Sequence, residues 1–301
     1  MKRLPSNLDD YIRAPQQITA PKGGRRLSVI PLPDEPLPIF SIITVVFNGA
    51  KTLERTMLSV FDQTFPDYEY IIIDGGSADG TLELIKRYET RIALWISEKD
   101  MGISDAFNKG IALAKGQIIG IINADDWYDP RALEYVANQY QQSPGGLYHA
   151  KLQYWNQQLK KEYVFSADDS KIHLMPTVNH STLFVDRSVY EQIGLFRLDY
   201  RYAMDFEFMA RAKNAGFKYF YLDKVTAHMM LDGVSDRIWL KSHLEVYRAR
   251  LEQGINPIWN LLMTAYLLSL TFIRRSFEGL GLDWLVRFYR ERFSVTKKKK
   301  S

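Results

Sequence analysis

IFSIITVVFNGAKTLERTMLSVFDQTFPDYEYIIIDGG, residues 39–76, decides how this 301-residue chain is read. IFSIITVVF (39–47) is an unbroken apolar and β-branched run, the pattern of a strand buried on both faces of a parallel sheet. Asn48 and Gly49 supply a turn, and residues 51–63 place Leu53, Met57, Val60 and Phe61 near helical spacing. YEYIIID (68–74) is a second buried strand, so the unit opens strand, helix, strand.

The same alternation continues downstream. After the turn GGSADG comes a helix from Thr81 to Tyr88, a short strand IALWIS (92–97), and a helix from Ile103 to Lys115 with Gly116 as its C-cap. QIIGIIN (117–123) is a fourth strand, running into Asp125 and Asp126. Strands alternating with helices through residue 140 predict an α/β fold with a mostly parallel, mixed sheet flanked by helices. Past Pro144 we expect strands near 147–155 and 160–165, a segment at 176–185, and short helices at 187–193 and 205–215. Upstream, seven of the 12 prolines fall within residues 1–38, so 1–37 reads as an extended arm.

Composition narrows the class. With 46% hydrophobic and 25% charged residues the chain is globular, neither disordered, collagen-like nor purely coiled-coil. The absence of cysteine excludes a disulfide framework, a thiolate zinc site and a cysteine nucleophile, and fits a reducing cytosol. MKRLPSNLDDYIRAPQQ at the N-terminus lacks the apolar core of a signal peptide, so export is not expected. A net charge of +4 is too small to suggest nucleic acid. Its distribution is uneven: residues 240–301 carry 12 Lys and Arg against 5 Asp and Glu, which leaves residues 1–239 at −3. A mildly acidic body with a basic, aromatic and apolar tail points to an anionic membrane surface.

Ligands in an open parallel sheet collect at the carboxyl ends of the strands. Asn48, Asp74, Glu98 with Asp100, and Asn123 with Asp125 and Asp126 stand at four consecutive strand ends. Any one of them is readily a turn former; the set reads as a polar site with a divalent cation, Mg²⁺ or Mn²⁺, at the paired acids. Asp126 also suits the N-cap of a helix starting at Trp127, with Asp129-Pro130 as a competing start. Neither G-x-G-x-x-G after the first strand nor G-x-x-x-x-G-K-[ST] occurs, which demotes a hydride-transfer enzyme and a P-loop ATPase.

Four ordered blocks carry a family resemblance: SIITVVFNGAKTLERTMLSVFDQTF, IIIDGGSADGTLELIKRY, WISEKDMGISDAFNKGIALAKGQIIGIINADDWY and NHSTLFVDRSVYEQIGLFRLDYRYAMDFEFMARAKNAG. From about Pro38 to Ser235 the chain resembles the family 2 glycosyltransferases of GT-A fold, in particular those that build bacterial surface polysaccharides. The resemblance implies a GT-A domain over 38–239, with a nucleotide-sugar half (38–140) and an acceptor and catalytic-base half (141–239), followed by a helical basic tail (240–301). It implies that Thr44, Val46 and Asn48 border the base and ribose of the donor, that Asp74 holds the base, and that Asp105, Asn108 and Lys109 border the nucleotide. Asp105 and Lys109, at i and i+4, are equally an ordinary helix salt bridge.

Asn123-Ala124-Asp125-Asp126 takes the place of the family's D-x-D motif. Asn123 can hydrogen-bond a ribose but brings no charge, so the cation falls to Asp125 and Asp126, with the direct ligand left open between them. In AMDFEF (203–208), Asp205 stands where the family's E-D motif places the base of an inverting transfer, and Met204 replaces the usual preceding acid. Glu207 is the alternative carboxylate, or a solvated face residue. His180 matches a position facing the acceptor, and His228 one that closes over the diphosphate.

INPIWNLLMTAYLLSLTFI (255–273) has no charge and is bounded by Arg274 and Arg275. Asn256, Pro257 and Asn260 argue against a clean span, and the basic aromatic segment beyond suits an interfacial helix; a helical pair packed on the catalytic domain is the alternative. The expected activity is inverting transfer from a nucleotide-diphospho-sugar to a saccharide acceptor, expected to be lipid-linked, at the inner face of the membrane. A sugar nucleotidyltransferase and a non-catalytic nucleotide-sugar-binding protein are the rivals.

Overall fold

The structure, a computed structural model, describes residues 20–28, 36–231, 239–280 and 282. It begins with β1 (Lys22–Gly23) and one helical turn, α1 (Arg25–Ser28), and continues through β2 (Phe40–Val46), α2 (Leu53–Phe61), β3 (Tyr68–Asp74), α3 (Thr81–Arg87), β4 (Leu94–Ser97), α4 (Ile103–Leu113) and β5 (Ile118–Asn123). The alternating pattern is therefore realised. β2 is buried along its whole length and lies parallel to both β3 and β5. The registers pair Val46 with Asp74, Asp74 with Ser97, and Val45 with Asn123, which aligns the polar strand ends in one row.

The second half adds β6 (Trp127–Tyr128), α5 (Ala132–Gln142), β7 (Gly146–Trp155), β8 (Lys161–Phe165), β9 (Phe184–Asp186), α6 (Arg187–Ile193), α7 (Met204–Asn214) and β10 (Lys218–Met230). The sheet runs β1-β4-β3-β2-β5-β9-β7-β10-β6, with β8 paired to β7. β9 runs antiparallel to both β5 and β7 and so ties the halves into one mixed sheet. Its two faces hold separate cores. Ile43 and Val45 pack with α4, α6 and α7, whereas Phe40, Ile42 and Val46 pack with α2, α3 and α5, as the two-residue period of a strand requires. Two more helices follow, α8 (Trp239–Glu252) and α9 (Pro257–Gly279).

Several local expectations are corrected. Residues 20–28 of the arm are built into the sheet edge: β1 pairs antiparallel with β4, and Arg26 Nη1 reaches Glu69 Oε2 at 3.1 Å and the Leu113 carbonyl at 2.9 Å. The rest of the arm to residue 35 lies outside the described residues. Gly116 is not the cap of α4, whose C-cap is Ala114; a Cβ at Gly116 would lie 2.4 Å from the Ser41 nitrogen, so close approach explains the glycine. Trp127 begins a two-residue strand rather than a helix. β10, thirteen residues long, was not anticipated.

Candidate active site

The end of β2 and the turn after β3 are joined. Asn48 adopts a left-handed backbone (φ 51°), tolerated by asparagine, so its amide donates to Ser77 Oγ at 2.7 Å and its Oδ1 accepts from Ala78 N at 3.0 Å. Asp74 is buried; its carboxylate accepts from Ser77 N, from Ser77 Oγ at 2.5 Å and from Ser97 Oγ at 2.5 Å. Thr44 and Val46 depart from expectation. Both side chains are buried, with Thr44 Oγ1 accepting from Tyr70 OH at 2.9 Å, so neither presents its side chain to a ligand. Phe47, between them and Asn48, is 66% exposed and lies beside Gly75, where a Cβ would come 2.6 Å from Asp100 Oδ2 and 3.4 Å from the Phe47 ring.

On α4 the expected nucleotide contacts are largely turned to structural use. Both ends of the buried Asn108 amide are tied to Phe196: Nδ2 donates to its carbonyl at 2.8 Å and Oδ1 accepts from its N–H at 3.0 Å. Asp105 is buried and accepts from Met101 N at 3.0 Å. Lys109 Nζ lies 2.7 Å from Glu98 and 3.3 Å from Asp105; burial works against its charge, but these two carboxylates outweigh it and raise its pKa. The expected salt bridge between Asp105 and Lys109 is present.

Asp125 and Asp126, the two candidates for the direct cation ligand, are adjacent in the turn after β5 but differ in surroundings. Asp125 is exposed. Asp126 is 1% exposed and accepts a 2.5 Å bond from Ser181 Oγ; burial, then the neighbouring Asp125, push its carboxyl well above the usual range, against Ser181 and Arg55. Arg55, on α2, donates to the Asp125 carbonyl at 2.8 Å and stacks with its guanidinium 3.8 Å from the centre of the Trp127 ring. Its buried Nε has no partner. Among the described residues no group of three or more His, Cys, Asp or Glu side chains is arranged to hold a metal by itself. The oxygen chemistry nevertheless suits a hard cation that takes one carboxylate, Asp125, and completes its shell with water and donor phosphates.

Asp205 lies in the first turn of α7, partly exposed, where the helix N-terminus favours an anion. His180 connects it to β5: Nδ1 is 3.9 Å from Asp205 Oδ2, and Nε2 is 3.0 Å from Asn123 Nδ2, whose Oδ1 is buried without a partner. Burial lowers the His180 pKa, against the pull of Asp205 and Asp125. Glu207 is not a site residue. It is buried and pairs with Arg211 at 2.8 and 3.1 Å, which in turn holds the carbonyls of Ile193 and Gly194 at the end of α6 and of Leu195 beyond it. His228 stands beside the turn that carries Asp125, with Nε2 3.8 Å from Asp129 Oδ2. Its Nδ1 accepts from Trp155 Nε1 at 3.2 Å, its ring stacks on Trp127 at 5.4 Å, and burial lowers its pKa. The turn after it lies outside the described residues.

The site thus unites Phe47, Asn48, Asp74, Asn123, Asp125, His180 and Asp205 around one row of strand ends. Residues 41–194, just over half of the chain, match the profile described as glycosyl transferase family 2. The chain belongs to that family. A PGL/p-HBAD biosynthesis glycosyltransferase of Mycobacterium tuberculosis is 28% identical to this family 2 glycosyltransferase over 179 residues, 58% of this chain and 69% of that protein. A cholesterol galactosyltransferase of Borreliella burgdorferi is 35% identical over 101 residues, 33% of this chain and 28% of that one. Among solved structures, S. aureus TarS 1-349 in complex with UDP-GlcNAc superposes with a TM-score of 0.57 at 16% identity, covering 85% of this chain and 76% of that chain. A mannosyltransferase from Pyrobaculum calidifontis in complex with GDP-Man and Mn²⁺ gives 0.57 at 16%, covering 94% and 88%. At such identities the likeness shows the fold, which is the GT-A α/β type.

Arg55, Ser181 and Phe47 escaped the sequence reading. Arg55 had a signal, a cation on the helix directly after the first strand; Phe47 had one in being the last residue of its apolar run. Ser181 had none, because its partner Asp126 is 55 positions away.

Proposed function

We propose that this family 2 glycosyltransferase transfers a sugar, with inversion, from a nucleotide-diphospho-sugar to a hydroxyl of a lipid-linked saccharide in the synthesis of a cell-surface polysaccharide. The observation that carries this reading is that the exposed Asp125 and the partly exposed Asp205 flank one row of strand ends, linked through Asn123 and His180. Phe47 offers an aromatic face for the base, and Asp74 with its serines closes the floor beside it. Asp205 takes the proton of the acceptor hydroxyl as its oxygen attacks the anomeric carbon, while the nucleoside diphosphate departs from the opposite side. His180 and the α7 N-terminus hold that carboxylate in place. Asp125 would hold a divalent cation, which when bound supplies positive charge to the departing diphosphate. Arg55 contributes a fixed positive charge behind the same turn.

The donor class is supported by the UDP-GlcNAc and GDP-Man complexes of the structural neighbours, and a lipid acceptor by the cholesterol-directed relative. The experiment is a screen of UDP-, GDP- and dTDP-sugars with Mn²⁺, read by thermal shift and by donor hydrolysis, with the product anomer assigned by NMR. One class should stabilise the protein and yield the inverted anomer. Retention of configuration, or no stabilisation by any nucleotide sugar, overturns the reading.

A further inference from the structure

α9 is built inside out. Its polar residues Asn260 and Thr264 are buried, and Thr271 and Arg275 on the same stripe are half-buried, whereas Ile258, Trp259, Leu261, Leu262, Tyr266 and Phe272 are each more than half exposed. The buried side is organised by Arg250 of α8, itself buried, whose Nη1 donates to Asn260 Oδ1 at 3.3 Å and Thr264 Oγ1 at 3.1 Å. Asn260 Nδ2 in turn donates to the Tyr247 carbonyl at 2.9 Å. This polar clamp fixes the roll of α9 so that its apolar side faces outward. α8 extends the patch with Leu240, Leu244 and Leu251, spaced along one of its own faces and exposed.

Large apolar side chains ranged along an exposed side of each helix mark an interaction surface. We propose that the α8–α9 hairpin docks on an anionic lipid bilayer, lying in the interface with Leu262 and Phe272 inserted toward the acyl chains and Trp259 and Tyr266 at the headgroup level. Two observations select a bilayer over a second copy of the chain, and a third sets how the hairpin lies on it. The outward residues combine aliphatic side chains with Trp259 and Tyr266, the amphipathic rings suited to the headgroup level. Residues 255–273 are free of charge and end at Arg274 and Arg275, in a segment with a surplus of seven positive charges; two copies would oppose that charge, and an anionic leaflet attracts it. Among the described residues no helix is long and apolar enough to cross a membrane, so α9 lies on the bilayer rather than through it. The proposal does not depend on the transfer reaction, although a lipid-linked acceptor would arrive from this side.

The test is flotation of the full chain with phosphatidylcholine vesicles, with and without phosphatidylglycerol, comparing wild type, a Leu261→Ser/Leu262→Ser/Tyr266→Ser variant and Leu159→Ser, which changes an exposed apolar residue on the β7–β8 turn, outside the hairpin. Wild type and Leu159→Ser should float with anionic vesicles and less with neutral ones, and the triple variant should lose at least about tenfold in binding, the equivalent of one large apolar side chain withdrawn from lipid. In parallel, brominated lipid should quench a part of the wild-type fluorescence that Trp259→Phe removes, a readout that needs no triple variant. Unchanged flotation of the triple variant, absence of Trp259 quenching, or a wild-type dimer that the triple variant converts to monomer without any vesicle binding overturns the proposal.

Discussion

Asp125 and Asp126 are consecutive in the chain and face opposite surroundings, the first toward solvent and the second into a 2.5 Å hydrogen bond with Ser181. They are therefore expected to fail differently. Asp125→Asn should lose turnover and the Mn²⁺-dependent gain in nucleotide affinity, with the fold intact. Asp126→Asn should retain that gain, and Asp126→Ala, which leaves Ser181 without its buried acceptor, should cost about 1–3 kcal/mol of stability. Calorimetric titration of nucleotide with and without Mn²⁺, beside urea denaturation, distinguishes the two residues.

The carboxylates of α7 separate in the same way. Asp205→Asn should lower kcat by roughly 10² to 10⁴ with donor affinity nearly unchanged, as removal of a positioned base does. Glu207→Gln, which weakens the pairing with Arg211, should instead lower the denaturation midpoint, and its kcat per folded molecule should stay close to wild type. Near-normal transfer by Asp205→Asn would remove that residue from the mechanism.

Phe47 is exposed at a strand end, where it packs too little to matter for stability. If it carries the base, Phe47→Ala should weaken nucleotide binding by about 1–3 kcal/mol, the range for a base stacked on an aromatic side chain, with the melting temperature of the free protein unmoved. Equal nucleotide dissociation constants for the two proteins would assign the base elsewhere.

Acid sensitivity has a identifiable source in Asp169. His149, 3.3 Å away, and Lys213, 3.1 Å away, hold its pKa down to about 2. A carboxylate whose folded pKa lies below its unfolded value adds stability that is complete above the unfolded value and is lost as pH falls through the folded one. The melting temperature of the wild type should therefore drop between about pH 4 and pH 2 more steeply than that of Asp169→Asn, whose curve lacks this contribution. Parallel curves would show that the pair contributes nothing.

The first half of the fold was legible because β2, β3 and β5 are buried on both faces, which forces continuous apolar runs whose strand-like length and β-branched content set them apart from a buried helix. β10 was not legible: KYFYLDKVTAHMM mixes charged, aromatic and apolar residues along a strand that is mostly half-buried, and neither alternation nor continuity marks it. In the site, the strand-end acids could be found from their place after each run. What Asn108, Glu207 and Asp126 do there could not, since each is decided by a partner that local spacing does not reveal: Phe196, the arginine that ties off α6, and Ser181.

Glu245 gives the hairpin a second significance. It belongs to α8, yet its carboxylate accepts the N–H groups of Arg201, Tyr202 and Ala203, at 2.7 to 3.0 Å, immediately before the turn that carries Asp205. A displacement of α8 is thus felt by the main chain that aims the base. Thermodynamic reciprocity then applies: whatever free energy α8 gains when the loop at 201–203 is ordered by substrates, the substrates gain when α8 is held still. Whatever anchors α8 and whatever orders residues 201–203 therefore draw on one binding equilibrium.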